Sequence, residues 1–141
     1  MPTLIIERMS IFGVNVTPQP TPRIIITEDD REVNSLIAAV FRLNGYDAFM
    51  ALKAEECLAE LNELDGIVDV VYMNGKIAED KGAMLISKIK QINHDIKILV
   101  VANDESSKSM ILEYGADDFI MKPVNIETIF SKASMLVIRK E

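Results

Sequence analysis

The chain has 141 residues, of which 49% are hydrophobic and 26% charged, and a formal net charge of −7. That length buries one ordinary core, and the acidic balance excludes the basic footprint that nucleic acid or an anionic membrane surface requires. The single cysteine, Cys57, excludes an internal disulfide and a multi-cysteine metal site.

Residues 1–22 read as an N-terminal extension and linker. The apolar start is interrupted by Glu7 and Arg8, a poor secretory signal, and no run approaches membrane-spanning length. The expected location is cytoplasmic. Phe12, Val14 and Val16 alternate with Ile11, Gly13 and Asn15, which suggests a strand. Thr17-Pro18-Gln19-Pro20-Thr21-Pro22 then favours an extended spacer. This segment is either a loose tail, the favoured reading, or a strand that docks on a sheet edge.

Residues 23–141 form the domain. Ile24-Ile25-Ile26 is a first buried strand, ending in Thr27-Glu28-Asp29-Asp30. Val33, Leu36, Ile37, Val40 and Phe41 predict one apolar face of a helix that stops near Asn44-Gly45. A strand over residues 46–50 follows, then a helix marked by Leu58, Leu61 and Leu64 and closed by Asp65-Gly66. Cys57 lies in that helix and reads as a buried structural thiol. Asp69 to Met73 is the third strand. The third helix follows Gly82, with Leu85, Ile89 and Ile92 inward, and Ile96 to Val101 is the fourth strand. Asn103 or Asp104 can cap a short fourth helix that Gly115 ends. Phe119-Ile120-Met121 is the fifth strand, and Ile126, Ile129, Phe130, Ala133, Leu136 and Val137 stripe a final helix.

Strands alternating with helices specify an α/β, doubly wound, flavodoxin-like fold: a five-stranded parallel sheet of order 2-1-3-4-5 with helices on both faces. Function in such a sheet collects outside the carboxyl ends of the strands. Glu28, Asp29 and Asn74 are therefore expected at one mouth, with Ala102 and Lys122 on the same rim. His94, in Asn93-His94-Asp95, reads as a loop residue.

Over residues 23–138 the chain resembles the receiver domain of two-component response regulators. The resemblance rests on Glu28-Asp29, on the strand leading to Asn74 with Gly82 eight residues on, and on Gly115-Ala116-Asp117, Phe119 and Lys122-Pro123. It implies an aspartyl-phosphate switch, in which an acidic pair and an acceptor aspartate hold Mg²⁺ and the aspartate takes a phosphoryl group from a histidine kinase. Glu28 and Asp29 match the acidic pair, Lys122 the phosphoryl-contacting lysine, and Phe119 the aromatic that reports switching. The Lys122-Pro123 peptide bond is expected to be cis.

Two positions depart from the family pattern. Asn74 stands where the acceptor aspartate belongs, and Ala102 where the switch hydroxyl belongs. A neutral amide is a far poorer nucleophile than a carboxylate, and a methyl group cannot donate a hydrogen bond. Lys76, two residues past Asn74, reads either as a solvated lysine or as a counter-ion for Glu28 and Asp29. Glu28, Asp29 and Asn74 are left as weak Mg²⁺ ligands at best, with no other cofactor expected. Asn74-Gly75 also offers a deamidation route to aspartate.

The expected function is a non-enzymatic, stand-alone pseudo-receiver that signals by protein–protein interaction. Its partner would be a histidine kinase or output protein, bound through the face of the fourth helix, fifth strand and fifth helix near Lys108, Tyr114 and Phe119; a homodimer is also allowed. The alternatives are a conventional phosphorelay receiver and, third, a small-ligand-binding flavodoxin-like protein. The turn Thr27-Glu28-Asp29-Asp30 lacks the glycines of a phosphate loop and opposes the last of these.

Overall fold

A computed structural model describes residues 9–11, 14–16, 20–78 and 83–138. Five parallel strands form one sheet, in the order β4-β3-β5-β6-β7. They are β3 (Arg23–Thr27), β4 (Asp47–Ala51), β5 (Val70–Asn74), β6 (Lys97–Ala102) and β7 (Asp118–Met121). Taken in sequence within the domain, this is the expected 2-1-3-4-5 arrangement. Ile24, Ile25 and Ile26, like Val70 to Met73, are buried without alternation, because helices cover both faces of the sheet.

The helices are α1 (Arg31–Leu43), α2 (Ala54–Glu63), the single turn α3 (Gly75–Ile77), α4 (Ala83–Ile92), α5 (Lys108–Glu113) and α6 (Ile126–Ile138). One core, between the sheet and α2, α4 and α5, gathers Ile25, Val71, Leu61, Ile89 and Ile111. The other, under α1 and α6, gathers Ile26, Tyr72, Ile37, Phe41 and Ala133. Cys57 is buried in the first, and burial pushes its thiol up to about 11, so it remains an unreactive SH at neutral pH. His94 is exposed in the α4–β6 connection, as expected, beside Asp95.

The glycine positions behave as the turn chemistry requires. Gly45 and Gly66 take positive φ, 89° and 73°, just after α1 and α2. No helix of the described residues is long and apolar enough to cross a membrane.

Several local expectations are corrected. The N-terminal alternation resolves into two short strands, β1 (Met9–Ile11) and β2 (Val14–Val16), paired antiparallel with Met9 opposite Val16. They form a separate two-stranded sheet and do not extend an edge of the five-stranded one. Phe12, Gly13, Thr17 to Gln19 and Gly82 lie outside the described residues. On α1 the inward residues are Asn34, Ile37, Ala38 and Phe41, while Val33 and Leu36 are exposed. On α4, Leu85, Ile86 and Ile89 point inward and Ile92 is exposed. Ser107 occupies the cap position of α5 but its side chain does not cap the helix, and Asp104 accepts from the Ser106 N–H in the turn before it.

Asn34 explains why the α1 stripe was misread: a polar residue sits at the centre of its buried face. Its Nδ2 donates to the carbonyls of Ile26, Glu28 and Ala51 at 2.9, 3.1 and 3.1 Å. It thereby ties α1 to the ends of β3 and β4 and to the backbone that carries Glu28. Removing this donor leaves buried acceptors short of partners, so Asn34→Ala is expected to cost about 2–3 kcal/mol. Asn34→Asp, which turns a carboxylate on the same carbonyls, should cost more at neutral pH, and urea unfolding of both variants checks the order.

Candidate functional site

β3 and β5 are neighbours, so their carboxyl ends bring Glu28 and Asn74 together. Glu28 is 3% and Asn74 7% exposed, which makes each polar group dependent on a partner inside the protein. They are each other's partner. The Asn74 Nδ2 donates to both carboxylate oxygens of Glu28, at 2.9 and 3.1 Å. The Tyr72 hydroxyl reaches Oε1 at 3.4 Å, and the Asp30 N–H donates to Oε2 at 3.0 Å.

The other end of the amide is also engaged. Asn74 caps the single turn α3, its Oδ1 accepting from the Lys76 N–H at 2.7 Å. These contacts fix the orientation of the amide. Exchanging its oxygen and nitrogen would set oxygen against carboxylate and an NH₂ against an N–H. Being held at both ends also opposes the side-chain rotation that deamidation through Gly75 requires.

Burial, followed by the charge of Glu28 and the hydrogen bond to it, raises the Tyr72 phenol far above its ordinary value. It therefore remains a neutral donor. Tyr72 and Asn34 both support Glu28, and neither stood out in the sequence, where one reads as strand filler and the other as a helix polar residue. Asp30 is a third case: its Oδ1 accepts from the Glu32 and Val33 N–H groups and caps α1.

The remaining rim residues divide. Asp29 is exposed. Lys76 is exposed, and the ion pairs among the described residues, Lys90–Asp117 and His94–Asp95, do not involve it. The group that meets Glu28 is thus the amide of Asn74, while Lys76 contributes its backbone N–H to the Asn74 side chain. Ala102 is buried at the end of β6, directly against Gly75. A Cβ on Gly75 would fall 2.8 Å from the Ala102 Cα and 3.3 Å from the Val101 carbonyl, so this approach requires glycine. The Lys122 N–H donates to the Ala102 carbonyl at 2.7 Å, and the Lys122-Pro123 bond is cis. The ring of Phe119 lies under Lys108, whose Nζ is 5.9 Å from its centroid.

A divalent cation between Glu28 and Asn74 would face the hydrogens of an NH₂ group, and the amide oxygen that could ligate it points to Lys76. Among the described residues no group of three His, Cys, Asp or Glu side chains is placed to hold a metal. The donors in this arrangement do not fit the Mg²⁺ site that the sequence resemblance implies.

Comparison with known proteins agrees with the fold. Residues 24–134 match the response regulator receiver domain family model. The transcriptional regulatory protein AruR of Pseudomonas aeruginosa is 31% identical over 123 residues, covering 84% of this chain and 50% of that protein. The aerobic respiration control protein ArcA of Escherichia coli is 32% identical over 120 residues, with the same coverage. The chain thus spans about half the length of these curated relatives. Among solved structures, a CheY-like receiver domain protein from Methanospirillum hungatei superposes with a TM-score of 0.77 at 24% identity, over 86% of this chain and 97% of its own. A Francisella response regulator receiver domain gives 0.72 at 22% identity, over 85% and 99%. With its parallel sheet, its lysine–cis-proline turn and this match over most of its length, the chain belongs to the response regulator receiver domain family.

Proposed function

We propose that this receiver domain has lost the aspartyl-phosphate switch and works in two-component signalling as a protein-interaction module held in one state. The observation that carries the reading is the hydrogen bond from the Asn74 amide to the buried carboxylate of Glu28. In a phosphorylatable receiver the equivalent position is a nucleophilic carboxylate, and a cation offsets the repulsion between it and the acidic pair. Here a neutral donor satisfies Glu28 directly, so the pocket gains little from Mg²⁺ and offers no group able to form an acyl phosphate.

Ala102 supports the same reading from the output side. A phosphoryl group would find no hydroxyl at the end of β6 to draw the β6–α5 loop inward. A ligand shifts a two-state equilibrium only through its differential contacts with the two states. Contact with a histidine kinase or an output protein is assigned to the α5–β7–α6 face, where Lys108, Tyr114 and Phe119 lie, and self-association of that face would give a homodimer. The domain itself is non-enzymatic in this reading.

Incubation with Mg²⁺ and acetyl phosphate is expected to leave the protein at its original mass, and beryllofluoride to leave its amide spectrum unchanged. A stoichiometric gain of one phosphoryl group on the peptide bearing Asn74 would overturn the proposal.

Asn74→Asp replaces the donor with a second carboxylate beside Glu28. Like charges at hydrogen-bond distance cannot both ionise without penalty. The variant should be less stable than the parent at neutral pH without metal, regain stability with Mg²⁺, and accept some phosphoryl. It should not switch. Adding Ala102→Ser, the smallest side chain with a hydroxyl, supplies one hydrogen bond to a charged group. That is about 1.5–3 kcal/mol, roughly ten- to a hundredfold in the switching equilibrium. Amide NMR with beryllofluoride should therefore move the Phe119 region fully only in the double variant.

A further inference from the structure

Beside the Asn74–Glu28 pair lies a cavity of about 510 Å³, which the loss of a phospho-switch does not explain. Its walls are mostly apolar: Val33 and Ile37 of α1, Val101 of β6, and Val124, Ile126 and Ile129 of the segment entering α6. Pro123 and four polar residues, Glu28, Tyr72, Asn103 and Lys122, complete it. A size within roughly 300–1,000 Å³, apolar walls and few polar groups are the ordinary features of a small-molecule site.

The polar groups decide what would fit. The Glu28 carboxylate already accepts from Asn74, Asp30 and Tyr72, and the Tyr72 hydroxyl is turned to Glu28. Lys122 is the one cation on the wall, and no carboxylate of the described residues pairs with it. An apolar body with a single anionic head therefore satisfies the cavity. A polyanion does not, because the buried charge of Glu28 lies on the wall, the exposed Asp29 and Asp30 follow it in the chain, and the chain carries −7 overall. We infer that this cavity binds a small apolar monocarboxylic acid, its carboxylate on Lys122 and its hydrocarbon between α1 and the start of α6.

The inference rests on the reading that Lys122 has no phosphoryl group to meet. A ligand there would touch Asn103, which follows β6, and Lys122 and Pro123, which follow β7. These are the segments that lead into α5 and α6. Occupancy would bias the partner-binding face from the same end of the sheet as phosphorylation does in the family, by binding instead of covalent modification.

Decanoate is a suitable probe for titration of the full chain, followed by amide NMR. Saturable shifts at Val33, Ile37, Asn103, Val124 and Ile129 are expected, with a Kd on the order of 0.1–1 mM for a ligand of this size. Lys122→Met should weaken binding by about ten- to a hundredfold, the loss of one charge-assisted bond. Val33→Glu should weaken it as well; Val33 is 40% exposed, so the change adds a like charge at the mouth without disturbing the core. 1-Decanol should bind the parent no more tightly than decanoate binds Lys122→Met, and ATP should leave these resonances unmoved. Absence of shifts with decanoate, shifts confined to Leu58, Met84 and Lys88 in a second groove between α2 and α4, or unchanged affinity in Lys122→Met would overturn the inference. The same samples treated with acetyl phosphate separate the two claims. A mass gain counts against the lost switch, whereas failure of decanoate without one counts against the ligand alone.

Discussion

The site depends on how a buried carboxylate is kept satisfied. Glu28 lies at the end of β3 with almost no access to water, and an isolated charge there would be prohibitively costly. Receivers of the phosphorylated kind place further carboxylates beside it and balance the cluster with a cation. This chain balances it with a neutral donor, the amide of Asn74, and two supporting donors, the Tyr72 hydroxyl and the Asp30 N–H. On the reading proposed above, the amide at position 74 stands in place of a negative charge, a nucleophile and much of the reason to bind metal. It also supplies a hydrogen bond where repulsion would have been.

The surrounding backbone is arranged to hold that donor in place. Asn34 joins α1 to the ends of β3 and β4, which fixes the loop carrying Glu28. On the other side, Gly75 packs so closely against Ala102 at the end of β6 that it has no room for a side chain. The small residue at 102 therefore has two consequences: it offers no hydroxyl at the end of β6, and it lies against the start of α3, where the Lys76 N–H donates to the Asn74 oxygen. Ala102 and the geometry at Asn74 are linked through the contact of Gly75 with the end of β6.

Most of the fold was legible in the chain, because strands buried on both faces leave continuous apolar runs and α1, α2 and α5 are each followed by a glycine with positive φ. Errors fell where a local pattern met a tertiary exception. Val33 and Leu36 continue the apolar stripe of α1 on paper, yet Asn34 takes the inward position, where its Nδ2 donates to the carbonyls of Ile26, Glu28 and Ala51. The N-terminal alternation could not reveal that it pairs with itself, since period alone does not name a partner strand. At the site, the positions of Glu28, Asn74, Ala102 and Lys122 followed from the strand ends and the family resemblance. The direction of the amide did not, because it depends on which groups of β3 and α3 lie on either side. For the same reason Lys76 was considered as a counter-ion, when the distance is closed by its backbone and by Asn74.

The most direct measurement of the central claim is on the Asn74 side-chain NH₂ itself, observed by ¹⁵N NMR during a Mg²⁺ titration. A hydrogen bond to a buried carboxylate should move one amide proton downfield, slow its exchange with water, and leave both properties unchanged as millimolar Mg²⁺ is added. If the NH₂ protons exchange as fast as those of an exposed asparagine, or if Mg²⁺ displaces them with a saturating shift, the amide does not stand in for the metal and the account of the site is wrong.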